Sequence, residues 1–367
     1  YRSYKYDIVY GTKLNGEPMY TLFLLVLSAI ISFIIAPLFM RLSYRFGFVD
    51  YPNHRKQHER PMPFSGGVSI LVSFVITVII AQPVEREYIP IILGGTLIVI
   101  LGIIDDKYDL KPSIKFPGQL VVISIPIFFG IIIDTINPFG ITMNFGVFAI
   151  PFTFLWIAVI INAINLIDGL DGLAAGVSVI ALSSIAFIGI LQNNIFVMMI
   201  SVILIGSTLG VLYYNFNPAK LFLGDNGSML LGYVLGVLSI LGFKNVTFFS
   251  ILFPIIILGV PFIDITFAAV RRYREGVSLT RADRGHLHHK LQYIGFSHRE
   301  SVILIYFMAT LFAVASVILY LSTVTGAVLI CILLVFSVVI IVEATDLIGS
   351  NKRPILNFLQ KIFERIS

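Results

Sequence analysis

Apolar runs of about 17–25 residues recur along this chain, each long enough to cross the hydrocarbon core of a bilayer as a helix. Eleven such runs can be placed, near residues 20–40, 66–82, 88–104, 116–133, 149–166, 172–190, 195–213, 227–242, 248–270, 301–321 and 324–343. They are continuous rather than alternating, which argues against a β-barrel. In lipid the backbone polar groups must then be satisfied within each helix. The expected fold is an all-α polytopic integral membrane protein of about eleven transmembrane helices, and a mean hydropathy of +0.96 agrees. The second run is short and led by glycine, and the fourth contains Pro117 and Pro126.

Orientation follows from charge. If the first span enters from outside, residues 41–65, 105–115, 167–171, 214–226, 271–300 and 344–367 share the cytoplasmic side. Those segments hold 20 of the 25 Lys and Arg residues and all six histidines, as the positive-inside rule requires. The net charge of +5 therefore belongs to membrane flanks and does not suggest nucleic acid. Cys331 is the one cysteine and makes no internal disulfide. Residues 1–18 read as a polar leader, either disordered or foreign to a native chain starting near Met19. Residues 19–345 read as one transmembrane domain. Residues 346–367 read as a cytoplasmic tail whose Ile355, Phe358, Leu359, Ile362, Phe363 and Ile366 share one helical face, an amphipathic surface helix.

The chain's polar residues concentrate in a few of these cytoplasmic loops. Asp105, Asp106 and Asp109 follow the third span. Adjacent carboxylates repel unless a cation is near; an ordinary solvated loop is the alternative. Asn162 and Asn165 are three residues apart and share a helix face, just before the Asp168-Gly169 and Asp171-Gly172 turns. An unpaired amide facing lipid is costly, so these asparagines point to a ligand or to helix packing. Asp225, within Phe222-Leu223-Gly224-Asp225-Asn226-Gly227-Ser228, is a magnesium-ligand candidate or a helix cap.

Asp264 lies inside the ninth run, seven residues before Arg271. Acidic residues within spans are costly, so it either pairs with a basic residue or faces a cavity. His286, His288 and His289 follow Arg281 and Arg284. Without a cysteine, and beside hard oxygen donors elsewhere, they suit a diphosphate or sugar better than zinc. Arg55, Lys56 and His58 form a basic loop before the Pro-rich turn into Gly66-Gly67. That loop and Lys115 bind anionic substrate or simply obey the positive-inside rule.

In order and spacing, these segments from about residue 20 to 345 resemble the polyprenyl-phosphate N-acetylhexosamine-1-phosphate transferase family. Leu287 interrupts the histidines as His286-Leu287-His288-His289, which resembles the N-acetylglucosamine branch; phospho-MurNAc-pentapeptide transferases tend to carry three in succession. The resemblance implies eleven spans, a bacterial cytoplasmic membrane location, catalysis on the cytoplasmic side and often a homodimer. It implies Mg²⁺ as cofactor, with Mn²⁺ as a substitute, held by Asp225 and Asn165. UDP-N-acetylglucosamine and undecaprenyl phosphate are the implied substrates, at the head of a polymer such as wall teichoic acid or O-antigen. Asp105, Asp106 and Asp168 are the implied catalytic carboxylates. Asn162, Asp171, Phe222, Lys115, Lys56, Arg281, His286, His288 and His289 are the implied substrate-binding residues. Alternatives are a phospho-MurNAc-pentapeptide transferase, a prenyltransferase with an aromatic acceptor, which also uses a DDxxD motif, and a transporter.

Overall fold

A computed structural model describes residues 18–52, 60–136, 143–243, 252–277 and 285–347, with Pro354 and Asn357. The polar leader, most of the amphipathic tail, Arg55, Lys56, His58 and Arg281 lie outside the described residues. Clustering of the chain gives two compact units, one ending at Pro254 and the other starting at Ile255.

The first unit holds eight of the chain's helices: α1 (Pro18–Phe46), α2 (Gly66–Ala81), α3 (Tyr88–Tyr108), α4 (Pro112–Phe128), α5 (Ala149–Ile167), α6 (Leu173–Leu191), α7 (Ile195–Asn215) and α8 (Gly224–Phe243). A short helix, α9 (Leu252–Ile257), carries the division. The second unit continues with α10 (Gly259–Glu275), α11 (Leu287–Ile294), α12 (His298–Leu321) and α13 (Val324–Thr345). Among the described residues, strands are confined to two-residue pairs, so the chain is an all-α polytopic membrane protein.

Eight described helices are long and apolar enough to cross a membrane, counting Gly146–Ile167 as one. The expected count of eleven is not confirmed among the described residues. At about 1.5 Å per residue, α2 and α4, with 16 and 17 residues, lie at the lower limit for crossing a core roughly 30 Å thick. The ninth run is divided: α9 stops at Ile257, four residues before Pro261. A proline ring clashes with the carbonyl four residues back and offers no N–H, and here the helix breaks at Leu258. α10 is amphipathic, burying Val260, Ile263, Asp264, Ala268 and Arg271. By contrast α4 runs unbroken through Pro117 and Pro126, with Pro112 in its first turn, where proline is favoured.

α8 is the axis of the first unit. Every residue from Asn226 to Ile240 is buried, and α2, α3, α5 and α6 all pack on it. Helices that share an apolar medium associate through small residues and polar contacts. Trp156 of α5 donates Nε1–H to Ser239 of α8 at 2.9 Å, and Tyr233 of α8 donates to the Pro90 carbonyl at 2.8 Å. Ser32 donates to the Ser207 carbonyl at 2.6 Å and Ser73 to that of Ser28 at 2.7 Å, joining α1, α2 and α7.

Two glycines set the approach at the start of α8. A β-carbon on Gly67 would lie 2.3 Å from Asn226 Oδ1, and one on Gly102 would lie 2.3 Å from Asn226 Cα. α2 and α3 can therefore meet α8 backbone to side chain only through glycine.

On the loop side, β1 (Val49–Asp50) pairs antiparallel with β2 (Met62–Pro63), Val49 opposite Pro63. Phe64 then bridges to Phe222, tying the segment before α2 to the α7–α8 loop. In the second unit α12 packs on α10, α11 and α13. Its start is fixed by a capping box in which Ser297 and Glu300 exchange bonds, an arrangement that satisfies two otherwise orphaned amides.

Gly102→Val is expected to destabilise the protein by about 1–3 kcal/mol or more, the usual cost of overpacking. Its melting temperature in detergent should fall, whereas Ile332→Val on the exposed face of α13 should change it little.

Candidate active site

Four helix ends place the polar residues of the first unit. Asp105 and Asp106 close α3, Lys115 lies in the first turns of α4, Asn162 and Asn165 in the last turns of α5, and Asp225 in the first turn of α8. A helix N-terminus leaves backbone amides unpaired, and α8 begins half-buried among other helices. Asp106 meets that need: its carboxylate accepts the amides of Asp225 at 2.8 Å and Asn226 at 3.2 Å, and the Asn226 side-chain amide at 2.5 Å. Asp106 is thus held as a cap from a neighbouring helix.

The Lys115 ammonium has three donors, and three acceptors surround it: Asp105 Oδ2 at 2.6 Å, Asn165 Oδ1 at 3.0 Å and Asp225 Oδ2 at 3.3 Å. Asn165 in turn donates to Asp225 Oδ1 in a short bond and to Ser228 Oγ at 2.8 Å. The other oxygen of Asp105 accepts the Leu110 amide at 2.9 Å, folding the α3–α4 turn back on the helix end. Asp105, Lys115, Asn165 and Asp225 form one connected cluster.

Asp168 caps α5 and its side chain accepts no hydrogen bond among the described residues. Withdrawal from water, followed by the charges of Asp225, Asp106 and Asp171, holds its carboxyl well above the usual carboxylate range. The interactions of Asp105, Asp106, Asp168 and Asp225 involve a single described cation, Lys115. Such an excess of negative charge calls for a further cation.

The donor set fits magnesium. Among the described residues no three His, Cys, Asp or Glu side chains gather into a closed metal cage. Magnesium needs none, since it takes one or two carboxylates and completes its shell with waters and phosphate oxygens. Asp225 and Asn165, both already facing a cation, are the residues that would hold it, with Asp168 beside them.

The remaining expected residues divide by position. Asn162 turns away from Lys115: its amide donates to Gln119 at 2.9 Å and to the Ala158 carbonyl at 2.8 Å. Asp171 accepts from the Asn217 side chain at 2.9 Å and the Ala219 amide at 3.2 Å, bracing the α7–α8 loop. Phe222 lies in that loop, half-buried, its ring 6.3 Å from that of Phe64. In the second unit Asp264 lies 2.9 Å from His286 Nδ1, which settles its partner as a histidine. The His286 and His288 rings are parallel at 5.9 Å, and His289 is 4.1 Å beyond. Burial pushes His288 down to about 3, so that ring stays neutral.

Sequence reasoning missed Gln119, Asn215 and Asn217. Gln119 is fully buried and donates to the Met229 sulfur at 3.3 Å, packing α4 onto α8 one turn beyond Lys115. Asn215 accepts the Gly172 amide at 3.1 Å and donates to the Leu221 carbonyl at 3.1 Å. Buried amides in or next to apolar runs were the available signal.

With this geometry in view, the comparisons are informative. The family model "Glycosyl transferase family 4" matches residues 88–243, which takes in the whole cluster. A Bacillus subtilis protein named probable undecaprenyl-phosphate N-acetylglucosaminyl 1-phosphate transferase is 41% identical over 345 residues, 93% of this chain and 96% of its own length. The chain belongs to the polyprenyl-phosphate N-acetylhexosamine-1-phosphate transferase family. A Mycolicibacterium smegmatis decaprenyl-phosphate N-acetylglucosaminephosphotransferase is 36% identical over 327 residues, covering 79% of this chain and 80% of that one. The Escherichia coli undecaprenyl-phosphate alpha-N-acetylglucosaminyl 1-phosphate transferase is 30% identical over 291 residues, covering 74% and 77%. The chain is accordingly a multi-pass membrane transferase.

Because the Asp168 carboxyl is raised in the folded state, its contribution to stability is full at low pH. It is lost as pH climbs from the usual carboxylate range through the raised value. In a chelator, wild-type melting temperature should fall between pH 5 and pH 8, and Asp168→Asn should flatten that slope and raise the value at pH 8. A variant less stable than wild type at pH 8 would contradict the uncompensated charge.

Proposed function

We propose that the protein transfers N-acetylglucosamine 1-phosphate from UDP-N-acetylglucosamine to undecaprenyl phosphate, on the cytoplasmic face of a bacterial membrane. The products are undecaprenyl-diphospho-N-acetylglucosamine and UMP, and the product begins a cell-envelope polymer such as wall teichoic acid or O-antigen. The observation that carries this reading is the Lys115 ammonium lodged between Asp105 and Asp225. A site that already holds a cation among carboxylates is suited to an anionic diphosphate that arrives with its own counter-ion. The names of the relatives, which include N-acetylglucosaminyl 1-phosphate and undecaprenyl phosphate, support the transferred group and the carrier lipid. The gathering of Lys and Arg in one set of loops supports the membrane side.

In this reading an oxygen of the lipid phosphate attacks the β-phosphorus of the sugar nucleotide. The bond from that phosphorus to the oxygen bridging the two phosphates breaks, and UMP departs with that oxygen. Phosphoryl transfer asks mainly for positioning and charge neutralisation. Asp225, Asn165 and Asp168 are the residues that would hold a magnesium ion, and it would supply that neutralisation. Asp105, which shares Lys115 with Asp225, receives the proton of the lipid phosphate or orients its oxygen. Lys115 exchanges its carboxylate partners for a phosphate oxygen when substrate enters. Asp106 keeps the amides of α8 in place throughout. Phe222 and Asp171 take the uridine, by stacking and hydrogen bonding, and the histidine segment with Lys56 and Arg281 takes phosphate or sugar.

The test is UMP release by purified protein in detergent with undecaprenyl phosphate and magnesium. Turnover of UDP-N-acetylglucosamine and not of UDP-MurNAc-pentapeptide is expected; the reverse would move the enzyme to peptidoglycan synthesis. Asp105→Asn and Asp225→Asn should each lower turnover by on the order of 100-fold or more while leaving the protein folded. Near-normal turnover in either variant would remove the role given to that residue.

A further inference from the structure

One buried carboxylate in the second unit plays no part in the chemistry above. Asp264 is 2% exposed and commits both oxygens to the histidine segment. Oδ2 lies 2.9 Å from His286 Nδ1, and Oδ1 accepts the Leu287 amide at 2.8 Å. Leu287 opens α11, which has no capping side chain of its own, so Asp264 caps it from another helix. A single carboxylate thereby fixes the backbone entry to α11 and the orientation of the His286 ring.

Seven residues along α10, Arg271 secures the same segment from another point. A β-carbon on Gly285 would lie 2.3 Å from the guanidinium carbon, so glycine is what lets the arginine lie against the chain there. Arg271 also donates to the Leu347 carbonyl at 2.6 Å. His286 is held at both ends of its backbone, with its ring 6% exposed. Among the described residues no hydrogen bond reaches its Nε2.

We propose that Asp264 is a positioning residue of the transferase, holding His286 with the proton on Nδ1 so that Nε2 is the nitrogen left to accept a hydrogen bond from a sugar hydroxyl of the substrate. A carboxylate on one ring nitrogen decides which nitrogen is left for chemistry and at what angle. An aspartate whose second oxygen caps the helix carrying the histidine cannot rotate away without undoing both contacts. The identity of the ligand as a sugar hydroxyl rests on the proposed function; the tautomer does not.

Two measurements test this. Nitrogen NMR of histidine-labelled wild-type protein, with His286 assigned by its loss in His286→Gln, should show Nδ1 protonated. A neutral ring with its proton on Nε2 would overturn the proposal, and this measurement needs no variant of Asp264 to fold. The second is a double-mutant cycle on kcat/KM for UMP release. Asp264→Asn should cost about tenfold or more, as loss of such supporting partners does. In a His286→Gln background it should add less than about twofold, since residues acting as one unit are not additive. A full multiplicative loss would mean that Asp264 acts on packing alone. If wild-type protein releases no UMP from any UDP-sugar, the functional reading fails while the tautomer result still decides the orientation of His286.

Discussion

The structure depends on how the start of α8 is satisfied. This helix runs through the middle of the first unit, and from Asn226 to Ile240 every residue is buried. An unpaired buried amide costs roughly 1–3 kcal/mol, so another element must supply acceptors. Asp106 does so from the end of α3. The approach it requires is close, and Gly67 and Gly102 permit it by leaving room for Asn226. Once α3 and α8 are locked end to end, Asp105 and Asp225 both meet Lys115. The cluster suited to an anionic diphosphate is a by-product of capping a buried helix.

The same device recurs in the second unit. Asp264 reaches from α10 to the first amide of α11 and takes the His286 ring with its other oxygen. In both places a buried carboxylate is stabilised by backbone amides at a helix start, where partial positive charge collects. In both, that carboxylate fixes a neighbouring side chain with chemistry of its own. A membrane protein has few polar residues to spend, so helix capping and site construction share them.

Much of the architecture was legible because lipid imposes a length on apolar helices. The ends of α2, α3, α5, α6 and α7 fall within a few residues of the runs read from the chain. The runs are less regular where length and composition part company: α2 and α4 are short, and the ninth run is interrupted at Leu258, three residues before Pro261. The site was legible as a set of residues and illegible as a set of roles. Asp105 and Asp106 are neighbours in sequence, yet one pairs with an ammonium and the other caps a helix. Asn162 and Asn165 share a helix face, yet one packs against Gln119 and the other links Lys115 to Asp225.

By itself the sequence determined that the chain is helical and embedded in a membrane, that its charges gather in a few loops, and which side chains carry oxygen and imidazole donors there. Hydropathy and spacing are local properties, and local properties survive in one dimension. The tertiary structure alone decided which oxygen meets which cation, that α8 is buried all round, and that Asp264 partners a histidine and not an arginine. Those outcomes depend on contacts between residues as far apart as Asp106 and Asn226. Such contacts exist only once helix packing has placed one helix end against another.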